Sequence, residues 1–119
     1  MKVEDLKVYK MLFKLSLQVY NITLEFPKFE MYELGSQLRR SSNSVPANVA
    51  EGFNNKHTNI YLECISRSHG ELRETIHHLK IAYCKGYIKE DKLKVLVNNY
   101  RGCSKMLYGL ERSLKARRK

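Results

Sequence analysis

Two groups of residues in this chain have the types and spacing that chemistry uses, and both fall within helical patterns. Glu74-Thr75-Ile76-His77 is a Glu-x-x-His pair, which on a helix sets a carboxylate and an imidazole on one face. Carboxylate-bridged di-metal bundles use two such pairs and two further inward glutamates. The sequence holds a single copy, so the expectation is no metal and no cofactor, with His69, His77 and His78 at the surface or an interface. Asn48 and Glu51 lie beside the apolar face of a second helical pattern. Glu51 would serve as a catalytic acid only with a second titratable group in a pocket, and the sequence supplies neither. A buried structural network of Ser41, Ser44, Asn48 and Glu51 with Arg39 or Arg40 is the favoured reading, because a carboxylate beside a core needs donors. No catalytic residue is identified, and the chain is expected not to be an enzyme.

Charge is the stronger signal. The net charge is +10, and residues 91–119 carry nine Lys or Arg against two acids, which leaves about +1 on each of the other three quarters. Such asymmetry suits either a polyanion partner, such as RNA, DNA or an anionic membrane, or a solubilising charged face with a frayed tail. The candidate contacts are Arg101, Lys105, Arg112, Lys115, Arg117, Arg118 and Lys119, with Lys92 and Lys94 on the same helical run. Cations near a helix C-terminus are also favoured by the macrodipole, but that effect is confined to the last turn and does not account for Lys92, Lys94 or Arg101. Tyr87, Tyr100 and Tyr108 lie near the patch as possible stacking groups, although Tyr100 also falls on a core seam. No RRM, KH or dsRBD signature is present, so binding is expected through phosphates, with RNA ahead of DNA and weak sequence preference. Arg39 and Arg40 are further candidates. Pairing with Glu33, Glu51 or a carboxylate of another subunit is the favoured alternative for them, since guanidinium matches carboxylate geometry.

The elements that must position these groups are legible as periodicity. Val8, Leu12, Leu15, Val19, Ile22 and Phe26 step by four and three, the mark of a buried helical stripe. Leu34, Leu38, Ser41 or Ser42, Val45, Val49 and Phe53 form a second stripe whose register passes unshifted through Pro46, favouring one kinked helix over a break near Ser44. Tyr61, Ile65, Ser68, Leu72, Ile76, Leu79 and Tyr83 form a third, with Thr58 as N-cap and Gly86 as the residue after the C-cap. In the fourth, Leu93, Tyr100, Leu107 and Leu114 recur every seven residues, with Leu96, Cys103 and Leu110 beside them. The pattern predicts an all-α, antiparallel up-down-up-down four-helix bundle in one domain spanning residues 1–119, with helices near 5–25, 31–54, 58–85 and 90–116. Cys64, Cys84 and Cys103 have no metal or redox spacing. With no signal-peptide pattern and no uninterrupted apolar span, the expectation is a cytoplasmic protein without membrane contact.

The run FPKFEMYELGSQLRRSSNSVPANVAEGF, residues 26–53, closely resembles the 23S rRNA intervening-sequence protein family, bacterial "four helix bundle" proteins. The motif residues are Phe26, Pro27, Glu30, Tyr32 and Leu34, then Gln37-Leu38-Arg39-Arg40, then Ser44-Val45 and Asn48-Val49-Ala50-Glu51-Gly52. Ser68, Glu71-Leu72 and Gly86-Tyr87-Ile88 continue it. Arg67-Ser68 departs from a Gly-Ser pair usual in the family, which puts close packing there in doubt. The resemblance implies a four-helix bundle that assembles into a ring-like homo-oligomer, a pentamer, with no known enzymatic activity. It extends distantly to the accessory protein of diversity-generating retroelements, which works with nucleic acid and a reverse transcriptase. A second expectation is therefore an oligomeric scaffold or adaptor with a protein partner.

Overall fold

A computed structural model describes residues 1–118. Four helices carry the chain: α1 Lys7–Thr23, α2 Leu34–Gly52, α3 Thr58–Cys84 and α4 Glu90–Arg117. Short 3-10 turns at Val3–Asp5 and Lys28–Glu30 precede α1 and α2. Each helix packs on its chain neighbours, and α1 closes the cycle on α4. The result is an all-α four-helix bundle of 50 × 25 × 21 Å.

The apolar stripes supply the core. Val8, Leu12, Leu15 and Val19 of α1, Leu38, Val45 and Val49 of α2, Ile65, Leu72 and Leu79 of α3, and Leu96, Tyr100, Cys103, Leu107 and Leu114 of α4 are all buried. Leu93, at the start of the α4 seam, and Leu110, one step before the buried Leu114, are only partly covered. One continuous helix runs through Pro46, whose ring is itself buried.

The contact between α2 and α3 is the tightest in the bundle. A Cβ added at Gly52 would lie 2.6 Å from Cβ and 2.9 Å from Sγ of Cys64, and 3.3 Å from Cα of Tyr61. Further along, Ser68 Oγ donates to the Val45 carbonyl at 2.8 Å, and Thr75 Oγ1 meets Ser41 Oγ at 2.9 Å. Positions on α3 rise as those on α2 fall, so the pair is antiparallel. Small residues let the backbones approach, and their hydroxyls find partners across the contact, a backbone carbonyl for Ser68 and each other for Thr75 and Ser41.

Element boundaries differ from the sequence reading in instructive ways. The second helix begins at Leu34 rather than residue 31, because Glu30 N–H bonds the Pro27 carbonyl and Met31 N–H that of Lys28, which spends those residues in a 3-10 turn. The first ends at Thr23, and Leu24, Glu25 and Phe26 continue as turns. Thr58 is the first helical residue, not the cap. His57 is the cap, with its own N–H held by Asn55 Oδ1 at 2.8 Å. Gly86 has φ +82, and Gly86 N–H to Tyr83 O with Tyr87 N–H to Ala82 O, both 2.9 Å, make a Schellman ending to α3.

Gly52→Ala is expected to destabilise the bundle by about 1–3 kcal/mol, because backbone atoms as well as a side chain oppose the new methyl. Urea unfolding checks this. A variant as stable as the wild type would show that the α2–α3 approach is slack.

Candidate nucleic-acid interface

The solvent face of α4 carries a row of cations, with Glu90 at its N-terminal end and Glu111 beside its C-terminal part. Lys94, Arg101, Lys105, Tyr108, Arg112 and Lys115 lie within a sector of about 80° and span about 30 Å along the helix. The apolar seam faces inward, which turns these positions outward. All six are exposed. Lys94 pairs with Glu90 at 3.4 Å and Lys115 with Glu111 at 3.0 Å. No carboxylate among the described residues pairs with Arg101, Lys105 or Arg112. The patch extends onto α3: Lys80, Lys94 and Arg101 rim a shallow groove floored by Leu93 and Val97.

The other sequence candidates are placed differently. Arg117 is exposed but lies about 160° around the helix from Arg101. Arg118 donates to Asn59 Oδ1 at 3.1 Å. Lys119 lies outside the described residues. Arg39 is committed inside the chain, with Nη1 bonded to Thr23 Oγ1 at 3.0 Å and Nη2 to the Met31 carbonyl at 2.6 Å. It ties the end of α1 to the start of α2 and pairs with no carboxylate. Arg40 is held by Glu74 at 2.6 Å and Glu71 at 3.7 Å across the α2–α3 contact, not by Glu33 or Glu51. Tyr100 is wholly buried, and Tyr87 turns to the opposite task described below, so neither is a stacking group.

The polar network is also rearranged. Ser44 contributes only its carbonyl, which accepts Asn48 Nδ2 at 2.8 Å. Arg67 supplies the cation: Nε bonds Asn48 Oδ1 at 3.2 Å, and Nη2 reaches Glu51 Oε2 at 3.4 Å and Cys64 Sγ at 3.1 Å. Arg67 and Glu51 are solvent-exposed, so this is a surface clasp and not a buried network. Arg67 leaves the tight α2–α3 contact undisturbed because its side chain runs outward over α2. Ser41 bonds Thr75 instead of joining the group.

Glu74 meets His78 at 3.3 Å as well as Arg40. His77 packs edge-on against His78. Among the described residues no group of three His, Cys, Asp or Glu is placed to hold a metal. Cys64 and Cys103 are buried and Cys84 is exposed, all three as free thiols. Burial pushes the Cys103 thiol up to about 11.

Three features escaped the sequence reading. Glu30 is 3% exposed, and its Oε2 accepts the Tyr87 hydroxyl at 2.8 Å and Lys85 Nζ at 3.0 Å, while Oε1 faces Leu34 N–H at 3.4 Å. Phe26 stacks on Tyr87 with ring centroids 5.2 Å apart. The α1–α2 and α3–α4 connections are thus locked together at one end of the bundle. The second feature is an exposed row on α1 and its C-cap, Phe13, Leu17, Tyr20 and Leu24, whose steps of four, three and four were visible in the sequence. The third is His69, expected at the surface or an interface but only 4% exposed on α3, where its ring lies 4.1 Å from that of Tyr108 with an interplanar angle of 30°. Burial holds the His69 imidazole below its ordinary pKa, against a smaller opposing pull from Glu111.

An all-α four-helix bundle with a row of cations on its fourth helix is the class of protein this geometry defines. Residues 4–109 match the family described as 23S rRNA-intervening sequence protein, and the chain belongs to that family. A crystal structure of a protein of unknown function from the S23 ribosomal protein family of Bacteroides thetaiotaomicron is similar, with a TM-score of 0.76 and 19% identity. The match covers 87% of this chain and 97% of that one, and at this identity it speaks for the fold. No curated protein matches the chain. No helix among the described residues is long and apolar enough to cross a membrane.

The Tyr87 hydroxyl, then the Lys85 ammonium, hold the Glu30 carboxyl below its ordinary 4.5. A carboxylate with a depressed folded value stabilises the fold when ionised. That contribution is complete above about pH 4.5 and is lost as pH falls through the depressed value. Glu30→Gln is therefore expected to lower the melting temperature at neutral pH and to flatten its decline on acidification. Parallel wild-type and variant curves from pH 7 to pH 3 would contradict the assignment.

Proposed function

We propose that this chain is a non-enzymatic, self-associating bundle of the cytoplasm that binds nucleic acid, RNA ahead of DNA, through the outer face of α4. The observation that carries the reading is the row Arg101, Lys105 and Arg112, aligned, exposed and free of carboxylate partners among the described residues. Natural surfaces usually intersperse charge signs, and a single-sign stripe is a device for attracting a polyanion. Spacings of about one and then two helical turns between these cations suit backbone phosphates and carry no base information. The family's ties to rRNA genes agree with this reading. Three unpaired thiols suit a reducing compartment.

The triple variant Arg101→Gln, Lys105→Gln, Arg112→Gln tests it, since all three side chains are exposed and their removal leaves the core intact. Its affinity for a fluorescent RNA oligonucleotide is expected to fall at least about tenfold at low salt, with unchanged circular dichroism. An unchanged affinity would overturn the assignment of the site.

Self-association is supported by the exposed α1 row, since a monomer gains nothing from Phe13, Leu17, Tyr20 and Leu24 facing water. The ring-like homo-oligomer that the resemblance implies, a pentamer, would cover such a row on every subunit and repeat the α4 stripe around its circumference. Light scattering is expected to give a mass near five times the 14.0 kDa of the chain, and Leu17→Glu is expected to lower it. A monomer mass for the wild type would remove the oligomer from the account. The same row favours a second reading, an adaptor that docks a protein such as a reverse transcriptase. Capture of a defined partner after nuclease treatment, lost in Leu17→Glu, would select it.

A further inference from the structure

The α4 stripe contains one residue that is not a cation, and its place is informative. Tyr108 sits at the middle of the row, with Arg101 and Lys105 before it and Arg112 and Lys115 after it. It is 50% exposed, so half of a large ring lies in water among charges that could have excluded it. Its position is fixed from beneath: the buried His69 ring of α3 stacks against it at 4.1 Å and 30°. His69 Nε2 makes no hydrogen bond among the described residues, and the imidazole ring packs on Tyr108. Stacking on His69 covers one side of the Tyr108 ring, and half of the residue stays exposed on the helix face that carries the cations.

We infer that Tyr108, backed by His69, is a stacking platform for an unpaired base, and that the nucleic acid this face takes is single-stranded. The inference rests on the nucleic-acid reading of the α4 stripe and narrows it. A duplex hides its base faces within the stack and shows a protein only edges, sugars and phosphates. An aromatic ring amid phosphate-binding cations contributes only when a base is free to lie on it. The ring is already held by His69, so little side-chain freedom is lost when a base arrives. The stripe's length of about 30 Å matches a short strand of about five nucleotides laid along the helix.

The chain contains no tryptophan, which makes Tyr108→Trp a unique fluorescent reporter at the platform. Its emission is expected to be quenched by an oligoadenylate of about ten nucleotides and unaffected by an abasic strand of the same length and charge. In wild-type protein, oligoadenylate is expected to bind more tightly than duplex RNA of equal charge. Tyr108→Leu keeps apolar cover over His69 but removes the ring. It is expected to weaken oligoadenylate binding by about 5- to 150-fold, the range of one lost base stack, to leave duplex binding unchanged, and to be rescued by Tyr108→Phe. Equal binding of single strand and duplex by wild type and Tyr108→Leu alike would overturn the inference and leave the electrostatic reading standing. Binding of neither polymer by the wild type would remove both.

Discussion

At the end of α2 there is no room for a side chain. The Cβ and sulfur of Cys64 stand 2.6 and 2.9 Å from where a Cβ of Gly52 would be, and the rest of the bundle is organised from this approach. With α2 and α3 this close, Ser68 can reach a backbone carbonyl of α2, and Thr75 can reach Ser41. Arg40 and Arg67 then span the gap on the outside, to Glu71 and Glu74 and to Asn48 and Glu51 respectively. These exposed ion pairs add little stability individually. Arg40 and Arg67 are thereby neutralised within the chain, while Arg101, Lys105 and Arg112 on the outer face of α4 have no carboxylate partner among the described residues.

A second constraint acts at one end of the molecule. Glu30 is a buried carboxylate, and such a group persists only with donors. Tyr87 and Lys85 provide them from the turn between α3 and α4. Two segments more than fifty residues apart in sequence thereby fix where α4 begins relative to α1. The seam of α4 sets its rotation, and burying Leu96, Tyr100, Cys103, Leu107 and Leu114 turns Arg101, Lys105, Tyr108 and Arg112 to solvent. The charge stripe is therefore a product of the packing pattern as much as of composition.

Much of this was legible in the sequence because helical burial is periodic. The α4 heptads disclosed the seam, and the seam implied an outward basic row. Gly86 marked the end of α3 because a positive φ is cheap for glycine. What stayed hidden depends on distances between helices, which periodicity does not encode. Adjacent arginines Arg39 and Arg40 have different fates, one bonded to Thr23 and Met31 and the other to two glutamates, and only the geometry of α1 and α3 decides which. The pairing of Glu30 with Tyr87 was present as two separate pieces of one motif, with no local signal joining them. Arg67 stood out as a departure in sequence, and the side chain's outward path explains why the contact tolerates it. The start of α2 was misplaced because the 3-10 turn after Pro27 has residues as compatible with helix as those that follow.

The central claim is that the outer face of α4 binds nucleic acid through phosphate contacts, and counterion release gives it a direct signature. The measurement is the affinity of the wild-type protein for a single-stranded RNA oligonucleotide as a function of salt concentration. With at least the three unpaired cations Arg101, Lys105 and Arg112 engaged, the slope of log affinity against log salt is expected to be about −2 or steeper. A slope near zero, or no binding at low salt, would contradict the account.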